Sequence, residues 1–250
     1  MVAASSAAKW LSLLLLVAWV HLAWGAEQAA VVVSLVGTVS AQGPDGKLRV
    51  LAKDSVLMPG EIVLTEKGSS ARLRFADDSM VTLRPASRLM IEKFSFDESK
   101  PASDNLVLNL VKGGMRAISG AVGKRGNRDA YQAKTNAATI GIRGTDYALM
   151  LCTDEDDTCR GLNVPTEFRA SHSSLPAGLY LAEFEGMINV SNKAGSKDFP
   201  EGKVGYVRDD QTPPQELSED PGLAREFPAL GNLPGTLTPF GGTAGACLVR

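Results

Sequence analysis

The densest group of potential ligands in this 250-residue chain is the acidic run Asp154-Glu155-Asp156-Asp157, framed by Cys152 and Cys159. Clustered carboxylates supply the hard oxygen donors that calcium takes, about six to eight per ion. Here the acids are consecutive, without the glycine and alternate spacing of a calcium loop. The expectation is a solvated acidic loop without a metal, with Asp154, Asp156 and Asp157 kept as a candidate binding surface. A second candidate is the pair Arg143 and Asp146, on either side of Gly144. Opposite charges there could contact a partner, or hold a turn in register for at most about 1 kcal/mol if exposed.

Other reactive residue types are sparse. The leader takes His21, which leaves His172 as the only later histidine, in Ser171-His172-Ser173-Ser174. Neighbours in sequence do not make a catalytic triad, and no Gly-x-Ser-x-Gly elbow surrounds them. One histidine without a Cys-x-x-Cys pair gives no zinc site. The basic stretch Lys124-Arg125-Gly126-Asn127-Arg128 offers charge to anionic glycans or lipopolysaccharide, but one short cluster in a chain of formal charge -2 reads first as a solvated loop. A polysaccharide-cleaving enzyme would need carboxylates paired in a groove, and the Asp154–Asp157 run is the only dense cluster. No enzyme activity, catalytic residue, cofactor or metal is therefore expected.

The elements that must position these residues centre on Thr135 to Leu151. This stretch reads as two strands meeting at Arg143-Gly144-Thr145, with Ile140 and Ile142 alternating before the turn and Tyr147 and Leu149 after it. Cys152 and Cys159 follow at the feet of a short loop and suit a local disulfide, worth about 2–3 kcal/mol by chain entropy. Cys247 is left over.

The first residues read as an export leader. Lys9 is the only charge before Glu27, and an apolar run from Trp10 to Trp24 ends at Ala23-Trp24-Gly25. That run is about 15 residues, short of the roughly 20 that span a bilayer. Residues 1–25 are therefore expected to be a cleaved signal peptide, and the protein periplasmic or secreted. No membrane span is expected after cleavage, and the slightly acidic balance gives no reason to expect nucleic acid.

From Ala30 onward short alternating runs are separated by turn signals, among them Gly43-Pro44-Asp45-Gly46, Met58-Pro59-Gly60 and Asp77-Asp78. Hairpins are read around Gly113-Gly114 and around Glu185-Gly186. No window shows a capped helical period, although a short helix near Leu223 to Phe227 is allowed. The unit Leu35-Val36-Gly37-Thr38-Val39 is echoed by Phe184-Glu185-Gly186-Met187-Ile188 and Val111-Lys112-Gly113-Gly114-Met115. The expected class is all-β, a solenoid-like or sandwich-like arrangement of many short strands with a flexible C-terminal tail. The β domain is expected over 26–208, with an irregular insertion at 152–178. A Pro/Gly-rich, disordered tail is expected over 209–250.

The order of these pieces resembles the FecR-type periplasmic domain family. The resemblance rests on Val36-Gly37-Thr38-Val39, Gly60-Glu61-Ile62-Val63-Leu64-Thr65, the run from Gly68 to Ser79, Leu83-Arg84-Pro85, Leu108 to Gly114, and Thr139-Ile140-Gly141-Ile142-Arg143-Gly144-Thr145-Asp146-Tyr147. Phe184 to Val190 fits the family's closing strand pair, so the likeness runs over roughly 31–208. It implies an all-β fold with solenoid character. The family's signalling role uses a cytoplasmic anti-sigma segment and a transmembrane helix ahead of the domain. A leader is read in that place here, so that role is not carried over. The expectation is a non-enzymatic exported module that binds a protein partner or cell-envelope polymer. The alternatives are surface display or an accessory part in transmembrane signalling.

Overall fold

Alternation sets the strands. In Ser70–Phe75, Ala71, Leu73 and Phe75 are buried while Arg72 and Arg74 turn to the other face. A computed structural model describes residues 28–125, 127, 129–153 and 157–227. The expected leader and residues 228–250 of the expected tail lie outside the described residues. The strands are β1 (Ala30–Val36), β2 (Val39–Gln42), β3 (Leu48–Val50), β4 (Val56–Leu57), β5 (Ile62–Thr65), β6 (Ser70–Phe75), β7 (Met80–Leu83), β8 (Arg88–Ser95) and β9 (Asn105–Ile118). They continue with β10 (Tyr131–Lys134), β11 (Thr139–Ile142), β12 (Asp146–Cys152), β13 (Gly178–Glu185), β14 (Met187–Asn192), β15 (Gly195–Pro200), β16 (Val204–Val207) and β17 (Gln215–Glu216). Two four-residue helices, α1 (Thr166–Arg169) and α2 (Leu223–Glu226), complete the set.

The strands form two layers that share β9. The first sheet runs β4-β1-β6-β7-β9-β12-β13-β16-β17, using the second half of β9. The second runs β3-β2-β5-β8-β9-β10-β11-β14-β15, using the first half of β9. Inward residues of both layers, such as Leu73, Val81 and Leu149 from one and Val63, Leu108 and Ile140 from the other, make a single core. Fully burying each such side chain contributes about 1.5–3 kcal/mol.

The solenoid expectation is corrected by the pairing. Stacked coils of a β-solenoid would pair in parallel, whereas β9 with β10 is the one parallel ladder among the described residues. The connections explain this: most are too short for the crossover that parallel neighbours need. The β6–β7 hairpin, for example, turns at Asp77-Asp78, with Asp78 at φ 64°.

The recurring apolar-x-Gly-x-apolar unit is a corner at which the chain changes layer. It occurs at Gly37 between β1 and β2, at Gly113 inside β9 and at Gly186 between β13 and β14, and Gly144 makes a like corner between β11 and β12. The strands on either side of Gly144 therefore do not pair with each other, nor do those around Gly186. Residues 105–118 form one continuous strand instead of a hairpin. Changing layer lets Ile140 and Ile142 face Tyr147 and Leu149 across one core. The corners also interlock. A Cβ on Gly37 would overlap Ser69, one on Gly113 would overlap Ser87, and one on Gly186 would sit 2.6 Å from the Gly144 carbonyl. Buried serines satisfy the bent backbone: the Thr38 N–H donates to Ser69 Oγ, Gly114 N–H to Ser87 Oγ, and Thr145 N–H to Ser119 Oγ.

A second apolar cluster covers the outer face of the first sheet. Ala148, Met150, Tyr180, Ala182 and Tyr206 lie under Leu217, Leu223 and Phe227, with Leu162, Phe168 and Leu175 beside them. Residues 209–227, read from sequence as the start of a tail, thus fold back across this face. β17 pairs with β16. Their few apolar residues are spaced too widely among prolines to give a periodic signal.

Candidate functional site

The Gly144 corner brings some candidate residues together and separates others. Arg143 and Asp146 do not pair. Asp146 accepts a bidentate contact from Arg116 of β9, with Nε at 2.8 Å and Nη2 at 2.7 Å. Register explains this, because Asp146 stands opposite Ile118 on β9 and Arg116 is its near neighbour on the same outer face. The same guanidinium lies 4.3 Å from the Phe184 ring centroid and donates to the Phe227 carbonyl. Arg84 pairs with Glu226 and lies over the Phe227 ring. Gly114 leaves room for that ring, since a Cβ there would come within 2.9 Å of it. Asp146 is therefore structural: it anchors one of the two arginines that hold the C-terminal strap.

Arg143 is exposed and lines an open depression with Lys124, Asn127 and Met187. The loop carrying Lys124 is fixed from below. Buried Asp77 accepts hydrogen bonds from Ser79 N–H (3.1 Å), Ser79 Oγ (2.8 Å) and Val122 N–H (3.1 Å). Arg125 pairs with Asp104 at 3.0 Å, donates to the Asp97 and Glu98 carbonyls, and lies 4.7 Å from the Phe96 ring centroid. Nothing in the spacing of Lys124 and Arg143 signalled their meeting, because it depends on the layer change between them.

Cys152 and Cys159 form the expected disulfide, which ties the end of β12 to a short 3-10 turn. Asp154 and Asp156 lie outside the described residues. Asp157 begins that turn. Ser171 Oγ and His172 Nδ1 lie 2.8 Å apart, but both residues are exposed. The neighbouring Glu167 carboxylate accepts the Ser218 N–H. His172 packs edge-on to Phe168. This is a surface turn contact.

Two features were not read from the sequence. The first is Glu183 on β13, 1% exposed, with neither carboxyl oxygen hydrogen-bonded among the described residues. Burial, and then the negative charge of Asp146, pushes its pKa up to about 9, so it is protonated at neutral pH. It stands opposite Tyr147, whose hydroxyl meets that of Tyr131 at 3.4 Å, and burial raises the pKa of both phenols.

The second is β3, the free edge of the second sheet. Gly43 N–H donates to the Lys47 carbonyl and Leu51 N–H to the Val39 carbonyl. The antiparallel alternation then turns the backbone groups of Leu48 and Val50 away from β2. Their side chains are 64% and 78% exposed. Between them Arg49 turns the other way, gripping Glu61 at 2.8 Å and donating to the Val56 carbonyl, which fixes the strand in place. Among the described residues no helix is long and apolar enough to cross a membrane, and no group of three or more His, Cys, Asp or Glu side chains is arranged to hold a metal.

Residues 61–161 match the family described as FecR protein. The matched stretch takes in β5 to β12 and the disulfide loop. Two crystal structures of a protein from Parabacteroides distasonis ATCC 8503, described as a candidate anti-sigma factor, share 10% and 12% identity with TM-scores of 0.43. Each alignment covers 64% of this chain and 61% of that one, so this chain spans about three fifths of their length. A structure described as a cell surface anchoring domain shares 29% identity over 25% of this chain and 82% of its own, with a TM-score of 0.24. No curated protein matches the chain.

Proposed function

We propose that this FecR-type domain is a non-catalytic, exported binding module that takes an extended segment of a protein partner as an added strand beside β3. One observation carries the reading: Leu48 and Val50 present unpaired backbone groups and exposed apolar side chains on an edge that Arg49 holds rigid. Strand addition draws affinity from such main-chain groups and specificity from alternate side chains. An open, apolar edge is otherwise a liability that proteins blunt with charge, proline or cover. The bound segment would place its own side chains beside Leu48 and Val50 on the outer face of the second sheet.

The test is Val50→Pro in the full chain. The Val50 N–H faces outward, so proline removes a donor the fold does not use, and edge strands tolerate it. Partner capture from envelope extract is expected to fall about tenfold or more, with the thermal unfolding midpoint unchanged. Undiminished capture of the same partner by a folded Val50→Pro chain counts against the reading.

A further inference from the structure

The Gly144 corner carries chemistry that the β3 edge does not use. Lys124 and Arg143 come from different segments and line one depression. The Lys124 stem lies across Gly144, its Cγ 3.5 Å from where a Cβ would stand. Neither side chain has an ion pair or hydrogen bond among the described residues. Asp146 is engaged by Arg116 and Asp104 by Arg125, while Asp129, exposed in the same loop, pairs with neither Lys124 nor Arg143. Glu185, opposite Asp146 in register, is exposed on the first-sheet side and pairs with neither cation. Lys124 and Arg143 thus bring two cations without side-chain partners to one corner. They leave a local positive field in an otherwise slightly acidic protein.

We infer that this depression binds the carboxylate groups of an anionic, uronate-bearing polysaccharide. Arg143 offers a planar fork that matches a carboxylate, and Lys124 a mobile point charge. The Asn127 side-chain oxygen already accepts the Asp129 N–H, which leaves its amide NH2 for a sugar hydroxyl. Met187, 38% exposed, gives an adaptable apolar surface for the C–H face of a sugar ring. The open shape suits a chain passing through. The two free cations that line this depression among the described residues are fewer than the roughly 6–10 phosphate contacts usual for duplex nucleic acid. They are also marginal for a membrane surface, at about 1 kcal/mol per charge.

The experiment is equilibrium binding of the full chain to polygalacturonate, with neutral dextran and phosphatidylglycerol vesicles as parallel arms. Binding to polygalacturonate that weakens with salt is expected. A Lys124→Gln, Arg143→Gln double variant should lose about tenfold or more of it, and dextran should not bind. Both side chains are exposed, so the variant's melting point should match the parent's. The Val50→Pro chain is expected to bind polygalacturonate normally, which separates this site from the β3 edge. Absence of polygalacturonate binding, equal binding by the double variant, or binding confined to the vesicles overturns the proposal.

Discussion

At the scale of single residues, Glu183 stands out among the described residues. Neither carboxyl oxygen is hydrogen-bonded among the described residues, and burial, then the charge of Asp146, outweigh the nearby Glu185 backbone N–H in holding its proton. In the unfolded chain the same carboxyl titrates near 4.5, and in the folded chain near 9. Between those values the folded state holds more protons than the unfolded state. Stability is therefore fully present below the lower value and declines as pH rises, by up to about 1.4 kcal/mol per pH unit from this group. Glu183→Gln keeps the shape and removes the titration. Chemical denaturation is expected to show the variant more stable than the parent at about pH 8, with the advantage vanishing toward about pH 4. A parent whose stability does not fall relative to the variant over that interval would show that Glu183 finds a partner for its charged form. Sequence reasoning had no access to this, since alternation marks Glu183 only as one more polar residue in a strand. Asp146 was singled out for its place beside Gly144, yet its partner is Arg116, 30 positions earlier. Only the β9–β12 register reveals that.

At the scale of elements, the strands and their alternation were legible and their layer was not. A period of two says that Ile140, Ile142, Tyr147 and Leu149 share a core, but it is silent on whether they sit in one sheet or face each other from two. The glycines at the corners decide this. They also predict a contrast. Gly186 and Gly202 both have positive φ, 94° and 78°. A Cβ at Gly202 meets nothing within 4 Å, while one at Gly186 meets the Gly144 carbonyl at 2.6 Å. Gly202→Ala should cost about 1–2 kcal/mol, the backbone strain alone. Gly186→Ala should cost at least about 1–3 kcal/mol more, because two interlocked corners must move apart. Equal losses in denaturant midpoints would mean the corners do not bear on one another. The disulfide was legible from spacing and the expected compartment, and it ties β12 to the outer layer that the sequence left irregular.

At the scale of the whole molecule, the sequence expected the fold to end near residue 208, and the structure carries it to Phe227. Leu217, Leu223 and Phe227 are buried over the outer face of the first sheet, where Arg84 pairs with Glu226 and Arg116 donates to the Phe227 carbonyl. A chain ended after Arg208 would expose Tyr206, Met150 and Ala148 and strand Arg116 without the Phe227 carbonyl. It is expected to be about 3 kcal/mol or more less stable than a chain ended after Phe227. Equal midpoints for both truncations would make the strap dispensable. The all-β class and the FecR likeness were readable in advance. Which strand is left at an edge was not readable, because that is a property of the complete sheet order.

Amide hydrogen exchange at Leu48 and Val50, in the free chain and with the captured partner in excess, bears most directly on the proposed strand addition. Both amides face away from β2, so both should exchange freely in the isolated protein and become strongly protected in the complex, while Arg49 is already protected in both. A partner that binds at full affinity and leaves Leu48 and Val50 exchanging at their free rates would contradict the account.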